Sequence, residues 1–426
     1  MTDATHDPRL RSWYPVAPDS DFPIQNLPLG VFRTVGAPHL AVAIGDAMLD
    51  LYVVAASGLL DAVVPDARAI FMAPALHALL AAGRPVWRAL RSEVSGLLRD
   101  GDGRMQRAEL RDAVQPQAGA TLLLPFEVAD YVDFYSSLEH ATNLGKILRP
   151  GSEPLLPNWR HMPIGYHGRG STVVASPTPV VRPKGQRRDG DAPPEYVATR
   201  ALDFELEVAA ITGDATEVRD LGVREAEGII FGFALLNDWS ARDIQAWEYQ
   251  PLGPFLGKSF ASSLSPWIVT LDALEPFRTR GPVQQPEPLP HLRAQADEAY
   301  DIALEVALSS PAMRAGDLAA DVIARTNFKG MYWSPAQQLA HVASNGTRIR
   351  AGDLYGSGTI SGSEPASFGS MIELTWRGSR PLFLADGTTR SFLQDGDEVI
   401  MRGRSTRDGF VSIGFGECRG RVLPAT

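Results

Sequence analysis

From about residue 119 onward, the chain consists largely of short runs in which apolar and polar residues alternate, separated by glycine and proline. A period of two is typical of β-strands, whose side chains point alternately to opposite faces. The runs are STVVASPTPVV, LDFELEVAAIT, PWIVTLD, DIALEVALS, MIELTW, DEVIMRG and GFVSIGFG. Helical periodicity interrupts them near 134–147, 240–249 and 332–343. The pattern predicts a mainly β fold with some α, built as a mixed β-sandwich or rolled barrel.

The first part of the chain differs from the rest, because strand-like and helix-like patterns are mixed there. We predict a small, mostly β-sheet domain with some helix over 1–118 and a larger domain over 119–426, since 426 residues exceed one ordinary core. The polar stretch AVQPQAGAT at 113–121 predicts a linker between them. The proline-rich segment 276–295 predicts an ordered surface loop.

The run ALDFELEV at 201–208 places three carboxylates on one face of a predicted strand. We expect Leu202, Phe204, Leu206 and Val208 to face a core. Asp203, Glu205 and Glu207 then share the other face, about 7 Å from one neighbour to the next. An open, solvated face tolerates such repulsion. A hard cation such as Mg²⁺ or Ca²⁺ would cancel it on a buried face.

Composition narrows the classes of partner. A formal net charge of −10 argues against nucleic acid or an anionic membrane as the main partner. Cys418 is the only cysteine, so neither an intrachain disulfide nor a cysteine-based zinc site can form, and we expect a cytoplasmic protein. The first residues lack the apolar core of a signal peptide, and Asp46, Asp50 and Asp61 interrupt the apolar region 40–64.

The segment 132–151 brings a carboxylate and a histidine into one helical pattern. Asp133 and His140 are seven residues apart, which on a helix places them on one face. His140 can then serve as a base near the acidic cluster. The alternative is an Asp133 that caps the helix and a polar surface histidine.

A second candidate segment, 235–260, follows an apolar run that predicts a buried strand ending at Asn237–Asp238. Asp238, Arg242, Gln245 and Tyr249 then follow at steps of four, three and four, which places them on one helix face. Such a face can hold a metal and an anionic substrate, although Asp238 can also simply cap the helix and pair with Arg242. GPFLGKS is one residue short of a P-loop, so we expect Lys258 to meet a developing negative charge instead.

Glu373 lies in MIELTW, a predicted short strand, and can orient a histidine as the third member of a catalytic triad does. The alternative is an exposed edge-strand glutamate. Neither G-x-S-x-G nor H-E-x-x-H occurs, which argues against a serine α/β-hydrolase and a zinc peptidase.

Several long motifs resemble the fumarylacetoacetate hydrolase family over nearly the whole chain. They are DFPIQNLPLGVF, DFYSSLEHATNLG, LLPNWRHMPIGYHGR, LDFELE, NDWSARDIQAWEYQPLGPFLGKSF, NFKGMYW, SGTISGSEPASFGSMIEL and FLQDGDEVIM. The resemblance implies an SH3-like N-terminal β-barrel, a C-terminal β-roll and a homodimer. It implies hydrolysis of the carbon–carbon bond of 4-fumarylacetoacetate to fumarate and acetoacetate, the last step of tyrosine and phenylalanine catabolism.

The resemblance also implies roles for individual residues. A divalent ion, Mg²⁺ or Ca²⁺, would lie among Asp133, Glu205, Glu207 and Asp238, and Asp203 receives no ligand role and is expected to be structural. Lys258 and Ser262 would lie close to the metal, Ser262 standing where the family commonly has threonine. The implied contacts to the diketo dicarboxylate substrate are Tyr135, Arg149, Tyr166, Gln245, Tyr249 and Thr359.

The chemistry of β-diketone cleavage then suggests a mechanism. His140, oriented by Glu373, takes a proton from water. Arg242, Gln245 and Lys258 stabilise the tetrahedral oxyanion, and the metal holds the diketone and the leaving enolate. A related acylpyruvate hydrolase or 2-keto acid decarboxylase could use the same metal cage, and a non-catalytic dicarboxylate-binding protein would bind without turnover.

Overall fold

The computed structural model describes residues 2–217, 220–294 and 298–426. Within these residues the chain forms three larger β-sheets, several two-stranded ladders and mostly short helices. The prediction of a mainly β fold with some α is confirmed.

The first sheet is antiparallel and belongs to the N-terminal part of the chain. Its strands lie in the spatial order Val114–Pro116, Ala47–Asp50, His39–Ile44, Leu29–Arg33 and Thr121–Leu123. Between its third and fourth strands in sequence, the chain forms the helices Leu51–Ala56, Ala67–Met72, His77–Ala81 and Arg84–Leu98. This five-stranded sheet is formed by the region in which an SH3-like barrel was expected. The four helices between its strands make that region richer in helix than predicted.

The predicted linker at 113–121 is wrong. Val114–Pro116 pairs with Ala47–Asp50, and Thr121–Leu123 pairs with Leu29–Arg33 on the opposite edge of the first sheet. The stretch is polar because both strands lie at sheet edges, where half of each backbone and many side chains meet solvent. The first sheet therefore extends past residue 118, and the division into 1–118 and 119–426 stays a prediction.

The second sheet is mixed and lies at the centre of the molecule. Its strands lie in the order Gly165–His167, Tyr131–Phe134, Leu354–Gly356, Leu206–Thr212, Ile230–Asp238, Ser262–Leu264 and Val173–Ala175, and Val269–Thr270 also pairs with Ile230–Asp238. The longest strand, Ile230–Asp238, is buried at every position. It ends at Asp238, as its apolar run predicts.

The third sheet lies on the other side of the second. Its strands lie in the order Asp321–Asn327, Ala303–Ser309, Glu398–Ser405, Ile413–Leu423 and Val180–Val181. The two-stranded ladders pair Lys184–Arg187 with Glu195–Ala198, Leu202–Asp203 with Ser240–Ala241, Arg278–Thr279 with Ala299–Tyr300, and Leu382–Phe383 with Thr389–Arg390.

Short helices connect these strands. They are Leu138–Leu148, Val223–Ile229, Arg242–Glu248, Pro311–Ala315, Pro335–Ala343 and Met371–Leu374. The helix predicted from residue 134 begins at Leu138 instead, because Tyr131–Phe134 pairs with Leu354–Gly356 and Ser137 then caps the helix. MIELTW is also not a strand, since Met371–Leu374 is one turn of helix.

The central sheet is covered on both faces. Leu206, Val208 and their neighbours join a core with the third sheet, whereas Ala209, Ile211 and Leu236 join a core with the first sheet and its helices. This alternation explains why Leu206–Thr212 is buried throughout. The segment predicted as a surface loop begins with buried Pro276 and Phe277 and is mostly exposed over 278–294, where Pro288 and Leu292 are buried; Gln295 lies outside the described residues.

Within the described part of the chain, no helix combines the length and the apolar character needed to cross a bilayer.

The helix Leu138–Leu148 packs so closely on the following loop that it requires glycine at Gly145. A Cβ at this position would lie 2.0 Å from the carbonyl oxygen of Pro154. Gly145→Ala should therefore lower the free energy of unfolding by about 1–3 kcal/mol, measured by urea denaturation. Gly228→Ala is the matched control, because its added Cβ meets no atom within 4 Å. It should be neutral or stabilising by up to about 1 kcal/mol, and equal losses in both variants would contradict the packing argument.

Candidate active site

Three strands of the second sheet each direct one carboxylate toward the same point. Asp133 lies opposite Gly356, and Glu207 lies opposite Leu236, two residues before Asp238. One oxygen from each of Asp133, Glu207 and Asp238 lies within 4.8 Å of the others, and all three residues are buried. We call these three residues the carboxylate trio; strand register brings them together from distant parts of the chain.

Gly356, on the neighbouring strand, makes room for Glu207, and Gly358 donates a hydrogen bond to it. A Cβ on Gly356 would lie 2.7 Å from Glu207 Oε2. The backbone N–H of Gly358 donates to the same oxygen at 3.0 Å. One oxygen of Glu207 is thus fixed by the backbone, and the other remains for a ligand.

The hydrogen-bond donors around the carboxylate trio offset only part of its negative charge. Among the described atoms, Asp133 Oδ1 and Glu207 Oε1 are buried without a hydrogen-bond partner. Burial and the charge of Asp238 raise the pKa of Asp133 to about 7. Burial and the charges of Asp133 and Asp238 raise the pKa of Glu207 well above its ordinary value. Since hard divalent cations take oxygen ligands and remove such repulsion, the donor set fits a divalent metal ion.

Glu205, the expected fourth ligand, lies beside the trio with two cationic partners of its own. Arg242 Nη2 donates to Glu205 Oε1 at 2.7 Å, and Lys258 Nζ donates to Glu205 Oε2. The same ammonium donates to Asp238 Oδ2 at 2.7 Å. Burial acts in the opposite direction, but Lys258 and Arg242 lower the pKa of Glu205. Its role as a ligand stays a prediction.

Arg169 is a further cation at the trio and was not among the predicted site residues. Its Nη2 donates to Asp133 Oδ2 at 2.6 Å, and both Nη atoms donate to the carboxylate of Asp238. The guanidinium also lies over the rings of Tyr131 and Tyr166, 4.7 and 5.3 Å from their centroids. Its backbone has φ 58°, the left-handed region that non-glycine residues rarely adopt. The turn before Gly170–Thr172 therefore directs this side chain inward.

A count of charges makes the metal assignment more specific. Arg169, Arg242 and Lys258 are the cations paired with this cluster. The carboxylates are the trio together with Glu205 and Asp203. When all are ionised, five negative charges meet three positive ones in a buried volume, which leaves two negative charges. A divalent cation would neutralise that remainder, because buried charge that lacks compensation is costly.

His140 and Glu373 form a buried pair next to this cluster. His140 Nδ1 lies 2.7 Å from Glu373 Oε2, and Glu373 also accepts from Asn143, Ser361 and Ser370. Although burial opposes it, His140 and these hydrogen bonds lower the pKa of Glu373. An ionised carboxylate only accepts, so Nδ1 carries the proton, and in the neutral imidazole the lone pair is then on Nε2. The side chain therefore has the tautomer of a general base.

The prediction that Asp133 and His140 share one helix is wrong, although the two residues do lie in the same region. Asp133 lies on a strand, and His140 lies in the first turn of the helix that follows. Asp238 likewise ends a strand and does not belong to the helix Arg242–Glu248. Glu373 is buried on a one-turn helix, not exposed on an edge strand. In each case the spacing in sequence resembled a helix or strand, but backbone pairing with a distant segment decided the structure.

Three predicted substrate contacts, and Ser262, which was predicted to lie close to the metal, surround this cluster. Tyr166 donates to Asp133 Oδ2 at 2.8 Å, and the ring of Tyr135 packs edge-on against His140. Ser262 Oγ donates to Asp238 Oδ1 at 2.8 Å. Gln245 Oε1 accepts from Arg242 Nη1 at 3.1 Å. The structure therefore places four predicted residues in contact with members of the site.

The remaining predicted contacts fall into two groups. Thr359 Oγ1 and Arg149 Nε are buried without a hydrogen-bond partner among the described atoms, so both have capacity for a substrate group. Arg149 Nη2 meanwhile donates to the carbonyl of Pro154. Tyr249 lines a surface cleft with Arg188 and Trp247, and its hydroxyl accepts from Gln250. Contact between Tyr249 and a substrate stays a prediction.

Family models and relatives match this chain over nearly its whole length. A family model described as fumarylacetoacetate (FAA) hydrolase C-terminal matches residues 131–423, and one described as fumarylacetoacetase N-terminal matches residues 25–125. The chain is 49% identical to fumarylacetoacetase of Bos taurus over 420 residues, covering 97% of this chain and 99% of that protein. It is 46% identical to fumarylacetoacetase of Arabidopsis thaliana, covering 98% and 99%.

Solved structures with lower identity share the fold. A fumarylacetoacetate hydrolase from Exiguobacterium antarcticum superposes with a TM-score of 0.51 at 18% identity, over 93% of this chain and 99% of that chain. A putative HpcE protein from Mycobacterium smegmatis superposes with a TM-score of 0.53, also at 18% identity and over 93% and 99%. Both family models match in order along the chain, and together with the relatives at nearly half identity they establish that the chain belongs to the fumarylacetoacetate hydrolase family.

Proposed function

We propose that the chain is a hydrolase that cleaves the carbon–carbon bond of 4-fumarylacetoacetate to give fumarate and acetoacetate. The observation that carries the proposal is the buried His140–Glu373 pair beside the carboxylate trio. The pair would supply a general base, and the neighbouring trio would supply a site for a divalent ion. Relatives at 44–49% identity over nearly the full chain are fumarylacetoacetases, which supports the substrate.

The metal site would be formed by Asp133, Glu207 and Asp238, with Glu205 as the expected fourth ligand and Mg²⁺ or Ca²⁺ as the expected ion. When bound, the ion would supply Lewis-acid stabilisation of negative charge on the diketone oxygens. Asp133 Oδ1 and Glu207 Oε1 support this assignment, because both are buried acceptors with no other partner among the described atoms.

The protein's own groups would carry out the proton transfers. His140 Nε2 removes a proton from water, whose oxygen adds to the carbonyl carbon. Lys258 and Arg242 donate to the resulting oxyanion, and the amide nitrogen of Gln245 is free to do so because its oxygen accepts from Arg242. The carbon–carbon bond then breaks, its electron pair leaves with the acetoacetate carbon as an enolate, and the proton held by His140 passes to that carbon.

Lys258 keeps its charge in this buried site. Burial alone would lower its pKa, but Asp238 and Glu205 raise the pKa of Lys258 to about 12. The ammonium therefore remains cationic at neutral pH, which is the state that an oxyanion partner requires.

The proposal extends to properties that the resemblance alone suggests: a role in tyrosine and phenylalanine catabolism, a cytoplasmic location and a homodimer. Sedimentation velocity tests the last of these. A single species at the mass of one chain would contradict the homodimer and leave the catalytic proposal intact.

The first experiment measures loss of the conjugated-diketone absorbance of fumarylacetoacetate with Mg²⁺, and again after EDTA. We expect fast loss that EDTA abolishes, with fumarate among the products. Loss of a different acylpyruvate but not of fumarylacetoacetate would support a related hydrolase. Metal and dicarboxylate binding with no turnover of any diketone would support the binding protein.

His140→Ala should lower kcat by at least about 10²-fold, because removal of a general base typically costs 10²–10⁴-fold. Metal affinity, measured by calorimetry, should stay within about threefold, since His140 is not a member of the trio. His39→Ala is a matched control, because His39 Nδ1 also pairs with a buried carboxylate, Asp50, far from the site. Turnover that survives His140→Ala would eliminate this residue as the base.

The stability of the metal-free protein should depend on pH with an unusual sign. The folded-state pKa of Asp133 is raised to about 7, so its contribution is fully present below its ordinary pKa near 3.8 and is lost as pH rises through about 7. In EDTA, the free energy of unfolding should therefore fall between about pH 4 and pH 7. Added Mg²⁺ should reverse the fall, because it binds the ionised trio.

Asp133→Asn provides the control for this titration. Urea denaturation of that variant in EDTA should show a smaller fall across the same pH range. A wild-type profile that is flat, or that rises with pH in EDTA, would contradict the charge accounting at the trio.

A further inference from the structure

Asp203 is fully buried and belongs to neither the carboxylate trio nor the His140–Glu373 pair. It contacts two parts of the site, the Arg242 side chain and the helix that bears Glu373. Its carboxylate accepts from Arg242 Nε at 2.7 Å and from the backbone N–H groups of Met371 and Ile372 at 2.6 and 3.1 Å. A buried carboxylate with three donors is highly ordered, because each lost partner would leave a desolvated polar group.

The backbone around Asp203 explains how it reaches two distant segments. On one side, Asp203 pairs opposite Ser240, and the N–H of Arg242 donates to the carbonyl of Ala201 at 3.0 Å. On the other side, the N–H of Leu206 donates to the carbonyl of Gly369 at 2.9 Å. The extended segment from 201 to 206 therefore lies between the start of the Arg242 helix and the start of the Glu373 helix.

On the arginine side, Asp203 sets the orientation of the guanidinium. Arg242 uses Nε for Asp203, Nη2 for Glu205 and Nη1 for Gln245. Three acceptors on three sides fix the plane of the group. Asp203 supplies the contact nearest the stem, so its loss would free the guanidinium to rotate.

On the helix side, Asp203 replaces a missing cap. Met371–Leu374 is a single helical turn, and its N-cap residue, Ser370, makes no side-chain cap hydrogen bond. Ser370 Oγ donates to Glu373 Oε2 instead. The first amides of a helix need an acceptor, and Asp203 provides it from another segment. The turn that presents Glu373 to His140 is therefore held by Asp203.

We propose that Asp203 is a positioning residue that ties the Arg242 guanidinium to the one-turn helix bearing Glu373. It holds the oxyanion donor and the orienting partner of the base in one fixed arrangement. The inference rests on the proposed function, in which His140 and Arg242 act on the same carbonyl. Asp203 itself makes no hydrogen bond to any of the three members of the trio, and it does not touch the reacting atoms.

The test is Asp203→Asn, which keeps the shape of the side chain but turns one acceptor oxygen into a donor nitrogen. We expect kcat for fumarylacetoacetate to fall about 100-fold, the scale of a small misplacement of catalytic groups, with KM and metal affinity within about threefold. The variant should also be less than additive with Glu373→Gln, because both act through the same histidine.

Asp397→Asn is the matched control. Asp397 is also fully buried, accepts from Arg390 Nε and Nη2 and from a backbone N–H, that of Gln394, and lies outside the site. It should destabilise the protein to a similar extent while leaving kcat per folded enzyme unchanged. If Asp203→Asn fails to fold, Asp203→Glu keeps the charge but moves the carboxylate by one methylene. It should restore the fold and still lower kcat at least tenfold, on the same geometric scale.

Two results would overturn the proposal. One is a kcat for Asp203→Asn equal to that of Asp397→Asn. The other is full additivity with Glu373→Gln. If the wild-type chain does not turn over fumarylacetoacetate, the proposed function fails separately, and crystal structures of Asp203→Asn and wild type decide the positioning role. The Arg242 guanidinium and the Glu373 carboxylate should then both be displaced in the variant, and unmoved groups would reject the inference.

Discussion

An excess of negative charge in a buried volume is the constraint on which the rest of this structure depends. Carboxylates from three strands and one ladder meet where solvent cannot screen them. Such a cluster persists only if positive charge is built in, and Arg169, Arg242 and Lys258 supply part of it. The strained turn at Arg169 is understandable as the means by which one of those cations reaches the cluster. The negative charge that remains is one that a divalent ion could neutralise.

The same electrostatics divides the carboxylates into two functional types. Glu205 and Asp238, which have two cationic partners each, have lowered pKa values. Those with fewer cationic partners, Asp133, Asp203 and Glu207, have raised pKa values. Glu373 stands apart, because its partners are His140 and its own set of hydrogen-bond donors. One small region thus combines carboxylates that could hold a metal ion, their cationic partners and the His140–Glu373 pair, and the number of cationic partners distinguishes the carboxylates.

Much of this was predictable from sequence, but for different reasons at different residues. Alternation predicted that Leu202, Phe204, Leu206 and Val208 face a core, and all four join it. It did not predict that Glu207 is buried as well, because the covering sheet comes from residues 29–123 and depends on tertiary packing. Glu373 does lie beside His140, and Asp133 does lie in the acidic cluster, although the secondary structure predicted for each residue was wrong. Arg169 was missed because no local pattern marks a cation in a turn; the charge balance was the signal that could have revealed it.

The placement of the first sheet has a consequence for how the molecule loses its structure. Leu236 and Ala209, from the strands that carry Asp238 and Glu207, share a core with Leu49 and Trp87 of the N-terminal part. Trp87 also packs edge-on against Phe231, 5.0 Å between ring centroids. The two segments matched by separate family models therefore share one hydrophobic core, so heating should melt them together in a single cooperative transition. A lesion in the N-terminal sheet, far from any reacting atom, would then also destabilise the strands that carry Asp238 and Glu207.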